Sequence, residues 1–371
     1  MLNRRAALAA YPPGMSAVAL AASLALLVAG RTDAKLLYVQ GKTAVVVYVR
    51  HPLRQPIPLT KPGTPRWSGD GRLLSIGGWI VGRVRLPADV VTWAPTGERA
   101  AAVTNDGGVQ AWTPGGGRRT VVPGGWGALN LAWSRDGALA LGRRREIWVW
   151  RRGSLRRILR LEGDHTPLPF AWRGDRVLWW DYPDSGSIAA DGVAVYEGRR
   201  RVAGALMYPD YVDVCGRRLV IAAGGDRYAM HGKRILFDGR DVSGDRSRSW
   251  VSPTCLPNGE LVASASRNAQ PARIGREARA IWRLLPRRRQ LTRPPAGWTD
   301  EAPHLLPHGS VLFVRTRQTS RKVHGEWATT TRGRIELLRN GRLTQLAAVT
   351  LNESLNYYGH YDWRSRIAVT P

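Results

Sequence analysis

Trp67-Ser68-Gly69-Asp70-Gly71-Arg72-Leu73-Leu74 joins an aromatic residue, a polar turn and an apolar run. The phrase returns as Trp93-Ala94-Pro95-Thr96-Gly97 and as Trp133-Ser134-Arg135-Asp136-Gly137-Ala138-Leu139, with degraded copies headed by Trp172, Cys215, Cys255, His304 and Trp363. A unit of supersecondary size repeated about every 40 residues is the mark of a repeat architecture. In each copy the head residue ends a strand, and an Asp-Gly or Asn-Gly pair (Asp70-Gly71, Asp136-Gly137, Asn258-Gly259) reverses the chain. An apolar strand follows, as at Ala138–Leu141 or Leu261–Ala265. Next comes an alternating strand, as at Val109–Trp112 or Glu146–Trp150, and then a last one, as at Arg119–Val122 or Leu343–Ala347. Four short strands joined by hairpins make an antiparallel sheet, and such sheets set radially make a propeller.

The two ends of the repeat array complement each other. The last copy, Tyr361–Val369, holds only the first two strands of a blade, while Thr43–Val49 and Pro56–Thr60 match the alternating and final strands. A blade built from both termini would close the ring and remove the edges of a half sheet. The expected fold is therefore all-β, a propeller of four-stranded antiparallel blades with a closing blade shared between the termini. Eight head residues give eight blades. The short interval from Trp67 to Trp93 has room for three strands at most, and absorbing that copy into a neighbour would give seven. No composition break divides residues 35–371, so they read as one domain.

Composition agrees. Among 371 residues, 43% are hydrophobic, enough for a core, and 41 Gly with 24 Pro spread along the chain suit frequent tight turns. The formal charge of +28 is carried almost wholly by Arg. Guanidinium forks suit carboxylates, phosphates and aromatic faces. The arginines are scattered through every repeat, and the runs Arg143–Arg145, Arg199–Arg201 and Arg287–Arg289 fall where turns are expected. Scattering of that kind also follows from base composition alone.

Residues 1–34 read as a segment outside the fold. Arg4-Arg5 precede Ser16–Gly30, which carries no charge, and Val28-Ala29-Gly30 and Thr32-Asp33-Ala34 offer small residues for cleavage. A helix of that length rises roughly 22 Å, short of a hydrocarbon core near 30 Å. A positive start, a short apolar core and small exit residues describe a secretory signal, with an N-terminal membrane anchor through residues 16–30 as the alternative. The expected location is the cell envelope or outside it.

The Trp-Ser-x-Asp-Gly phrase resembles the repeat of TolB-type, WD-like bacterial propellers, and the propeller of the prolyl oligopeptidase family is similar. The resemblance covers the chain from Lys35 onward and implies a blade rather than an activity. A prolyl oligopeptidase would also need a hydrolase domain with a Gly-x-Ser-x-Gly elbow, and no such sequence occurs.

Few residues point to chemistry. His304 and His308 lie four apart, but Pro307 between them argues against a helical metal pair. Asp238, Asp241 and Asp245 share a loop that lacks the alternation of an EF-hand. No catalytic residue, metal site or cofactor is expected. The candidate binding residues are aromatic and acidic: Trp180, Asp181 and Tyr182; Tyr208, Asp210 and Tyr211; and Tyr358, His360 and Tyr361. Rings at a channel mouth would give large contact area at low entropic cost, whereas the same rings could simply cap the blade cores. Cys215 and Cys255, at matched head positions, suit either a disulfide or two small buried hydrophobes replacing Trp. The expected function is a non-catalytic binding or scaffold module whose partner is a protein, a peptide or an anionic envelope polymer. An envelope enzyme acting on a wall polymer or peptide at the channel mouth is the alternative, and export argues against nucleic acid as a partner.

Overall fold

The repeated phrase folds as a hydrogen-bonded knot. In the computed structural model, which describes residues 34–50, 53–183, 193–224, 231–268, 278–323, 326–351 and 363–370, the buried Ser68 hydroxyl donates to Asp70 Oδ1 (2.7 Å) and accepts from the Leu73 amide (2.9 Å). Ser134 repeats this with Asp136 and the Ala138 amide. Gly71 and Gly137 take φ of 68° and 83°, a left-handed conformation that glycine adopts without steric cost. The serine is thus as much a part of the turn as the Asp-Gly pair.

The strands so connected form eight four-stranded antiparallel sheets, each a blade. Numbered along the chain, blades 1 to 7 begin at Pro65–Trp67, Thr92–Trp93, Asn130–Trp133, His165–Arg173, Val212–Cys215, Arg248–Cys255 and Thr299–Leu305. Those first strands neighbour one another around the axis. The head residue sits in the first strand in all seven. Its indole ties that blade to the one before: Trp67 Nε1 donates to the Ala368 carbonyl (3.3 Å), Trp93 Nε1 to Ser75 Oγ (2.9 Å), Trp133 Nε1 to the Thr92 carbonyl (3.2 Å) and Trp172 Nε1 to the Ala132 carbonyl (2.9 Å).

Between blades 5 and 6 a covalent tie takes over. Cys215 and Cys255 are disulfide-bonded, with their α-carbons 5.7 Å apart, inside the usual 4.4–6.8 Å window. Denatured, unreduced protein should therefore titrate no free thiol, and Cys215→Ala should cost about 2–4 kcal/mol in chemical denaturation. Two reactive thiols would refute the bridge.

Two expectations about the ring need correction. Blade 1 does fit four strands between Trp67 and Trp93, because three of them shrink to Leu74–Ile76, Trp79–Ile80 and Val84–Arg85. The hairpin at Gly77-Gly78 permits this, since a β-carbon on Gly78 would overlap the Leu86 and Ala88 carbonyl oxygens. The count is eight.

The closing blade is shared between the termini, but in the proportion three to one. Its order is Arg54–Pro58, Thr43–Tyr48, Lys35–Gln40 and Ile367–Val369. Ile367–Val369 pairs with Leu36–Tyr38, not with residues 44–49. Lys35–Gln40, five of whose six residues are buried, supplies the apolar second strand that had been assigned to the C-terminal copy. Trp363 consequently lies outside the sheet, in a 3-10 turn at Trp363–Ser365, where it is 2% exposed and packs with Leu36, Val47, Val314 and Val349. Its indole donates to Glu301 Oε2 (2.9 Å) in blade 7. It ties adjacent blades as the other head tryptophans do, without being in a strand.

Candidate functional site

Where the first strands of blades 2 to 5 face the axis they leave a cavity of about 750 Å³. Its walls carry Trp93, Trp133, Phe170, Trp172, Trp180 and Tyr208. Four of these six rings, Trp93, Trp133, Phe170 and Trp172, come from first strands. One end is formed by the turns that follow the heads, contributing Pro95, Arg135, Gly174 and Arg217. Arg135 and Arg217 are exposed. Arg364 also reaches this cavity, from the turn after Trp363. It donates to the Val212 carbonyl (3.2 Å) and the Pro253 carbonyl (3.3 Å), so a residue near the C-terminus grips blades 5 and 6.

Both carboxylates on the cavity wall are already engaged. Asp136 serves the turn of blade 3, where the Ser134 hydroxyl holds it below the ordinary carboxylate range and Arg151 pairs with it at 2.8 Å. Asp213 Oδ2 accepts from the Cys255 amide (3.1 Å) and Oδ1 from the Val214 amide (2.9 Å). The result is an aromatic wall with an excess of guanidinium.

The candidates named from sequence divide. Trp180 and Tyr208 line the cavity, with Phe170 5.1 Å from Trp180 between ring centroids. Asp181 instead meets His165 Nδ1 at 2.9 Å between the first two strands of blade 4, and Tyr182, opposite Thr166, is likewise off the cavity wall. Tyr211 is wholly buried in the core of blades 5 and 6, where burial pushes its hydroxyl well above its usual pKa. Asp210 is 3% exposed; Ser252 Oγ donates to its Oδ2 (3.0 Å), and Oδ1 has no hydrogen-bond partner among the described residues. Burial raises its pKa, with Arg364 the main charge opposing the rise. Tyr358, His360 and Tyr361 lie outside the described residues, as does the segment 1–33.

The lining residues that sequence reasoning did not single out are Trp93, Trp133, Phe170, Trp172 and the three arginines. The head tryptophans were read as inter-blade packing, which they are, but Trp93 and Trp172 are only half-buried.

Neither proposed metal grouping converges. His304 lies in the first strand of blade 7, where burial, then the Arg364 charge, holds its pKa down to about 3. His308 sits in a separate turn at φ 64°. Each loop aspartate serves local donors: Asp238 takes Arg173, Arg218 and the Leu219 amide, Asp241 takes Ser243, and Asp245 takes Ser247 and Arg248. Among the described residues, ligand-type atoms do converge at Asp213, Cys215 and Cys255, but there both sulfurs are spent in the disulfide.

No family model matches the chain, and no curated protein matches it in sequence. Solved structures match in shape. One from a study of two prolyl endopeptidases aligns over 87% of this chain at 14% identity and a TM-score of 0.45, and the chain spans 57% of that protein's length. A chain of the mitotic checkpoint complex aligns over 75% of this chain and 82% of its own at 17% identity and a TM-score of 0.39. A protein of unknown function from Bacteroides caccae aligns over 91% of this chain and 99% of its own at 8% identity and a TM-score of 0.34. The TolB-type resemblance rests on the Trp-Ser-x-Asp-Gly phrase.

Proposed function

We propose that this propeller is a binding module of the cell envelope, seating a protein or peptide segment, or an anionic envelope polymer, in the cavity along blades 2 to 5. One observation carries the reading: the wall is built of rings and guanidiniums, while its two carboxylates are tied into a turn and to the strand of Cys255. An enzyme acting on a wall polymer at this place would need a carboxylate free to move a proton. Large aromatic side chains with arginine are the residue types that dominate recognition surfaces. The charged start and short apolar run of residues 4–30 support export. Among the described residues no helix is long and apolar enough to cross a membrane.

A photo-crosslinking residue at Met207, on the cavity wall, tests this against one at Arg342, exposed on the hairpin of blade 7. Crosslinking in whole cells should give a discrete adduct in the envelope fraction from position 207 and none from position 342. The same pattern from both positions, or no adduct from 207, would sink the proposal.

A further inference from the structure

A second cavity, of about 510 Å³, opens between blades 2 and 3. It shares Trp133 and Asp136 with the channel cavity as a common wall but is lined by different strands. Arg99, Arg119, Arg151 and Arg152 face it, and Asp136 is the carboxylate on its wall. Asp136 is taken by Arg151. Among the described residues, Arg99, Arg119 and Arg152 have no carboxylate within ion-pair distance.

One of these exposed guanidiniums is placed by a ring contact. Arg119, from the outermost strand of blade 2, lies over the Trp150 ring of blade 3 at 5.5 Å. Along the same seam Arg157 lies over Trp148 (5.8 Å) and Arg143 over Trp126 (4.9 Å). The indoles interlock edge to face, Trp133 with Trp150 at 6.3 Å and Trp126 with Trp148 at 6.1 Å. Two glycines leave the room: a β-carbon on Gly137 would overlap Arg99 Nη1, and one on Gly153 would lie 3.3 Å from Arg119 Nη2. A guanidinium over a ring face keeps N–H groups available for an oxyanion, and the contact lowers the cost of ordering Arg119.

We propose that this seam is a binding site for an acidic peptide segment, whose spaced Asp or Glu carboxylates pair with Arg99, Arg119 and Arg152. Three features favour such a chain over a nucleic acid or polyphosphate. Of the two indoles on the cavity wall, Trp150 carries Arg119 over its face and Trp133 meets Trp150 edge to face, which is a poor platform for stacking successive bases. Asp136, and Glu146 beside Arg157 at 2.9 Å, intersperse negative charge that a charge at every unit of a phosphate chain would meet. The cavity also holds a few side chains, not a duplex backbone. Although the two cavities share a wall, Arg99, Arg119 and Arg152 line this one alone, so either reading could fail without the other.

The probe is an eight-residue peptide with Glu at alternate positions, titrated into the intact protein by calorimetry beside its Gln counterpart and inorganic tripolyphosphate. The Glu peptide should bind at least tenfold more tightly than the Gln peptide. The double variant Arg99→Gln/Arg119→Gln should lose at least tenfold in affinity. Arg339→Gln/Arg342→Gln removes the same charge from the remote exposed hairpin and should change affinity less than twofold. Equal loss in both variants would mean that the overall charge, not the seam, attracts the peptide, and overturns the proposal. So would equal binding of the Gln peptide, no binding of the Glu peptide, or tighter binding of tripolyphosphate. Circular dichroism of both variants separates a lost site from a lost fold, and Arg119→Lys, which keeps the charge but not the fork, should recover only part of the affinity.

Discussion

A chain ending at Asp362 should not fold: we expect it to aggregate, or to lose the cooperative thermal transition of the full-length protein. Nine residues are missing, but they hold the ring from several sides. Ile367–Val369 covers the edge of Lys35–Gln40, and the Lys35 amide donates to Thr370 Oγ1 (2.9 Å). The Ala368 carbonyl receives the Trp67 indole, and the Arg364 carbonyl receives Arg66 Nη1 at 2.6 Å. Burying Trp363 accounts by itself for about 3–5 kcal/mol, against a typical total of 5–15 kcal/mol. Trp363→Ala is the milder test and should lower the stability by about that amount. A truncated protein melting at the full-length temperature would refute the closed ring.

Arg315→Leu should destabilise the protein by about 3–5 kcal/mol, a cost comparable to losing Trp363 although no cavity of that size is made. Asp300 is wholly buried and receives Arg315 in both oxygens, Nε to Oδ1 at 2.6 Å and Nη2 to Oδ2 at 2.9 Å. Removing the guanidinium strands a carboxylate in the blade core. Glu336, which burial already pushes up in pKa, would also lose the main charge opposing that push. A carboxyl whose folded pKa is raised stabilises the fold below its unfolded pKa and loses that contribution as the pH rises through the folded value. The deficit of the variant should therefore shrink on acidification. The double variant Arg315→Leu/Asp300→Leu should regain much of the loss, because an apolar pair replaces a buried ionic one at little cost. Chemical denaturation of the three proteins between pH 4 and 7 decides it. If the double variant is the least stable at every pH, the stranded-charge account is wrong.

The blade plan was legible because one phrase carries a complete turn: head, serine, Asp-Gly and apolar strand. What failed was counting by length. Blade 1 compresses its strands to two or three residues through Gly77-Gly78, and spacing alone does not announce that. The closing blade misled in a different way. Ile367-Ala368-Val369 reads as a second strand after Trp363, but the tryptophan had left the sheet and the three residues occupy the first position. The inner strands of blades 6 and 7 bend at Ser252 and Ala302, with φ of 50° and 45° and no glycine to mark the place. The cavity was half visible. Trp180 and Tyr208 stood out as an aromatic acidic flavour in loops, whereas Trp93 and Trp172 were hidden by having an architectural reason to be there.

The three-to-one closure sets a schedule for synthesis. Lys35–Gln40 is made early, with a buried, apolar sequence and one edge that nothing made for the next three hundred residues will cover. At about 5–20 residues per second the ribosome takes roughly 15–65 s to reach Ile367, and an unpaired apolar strand edge is a template for mispairing throughout that time. The three strands from Lys35 to Pro58 therefore cannot complete their sheet until then. Ring closure cannot precede the synthesis of Ile367–Val369, and termination anywhere before Ile367 yields an open ring.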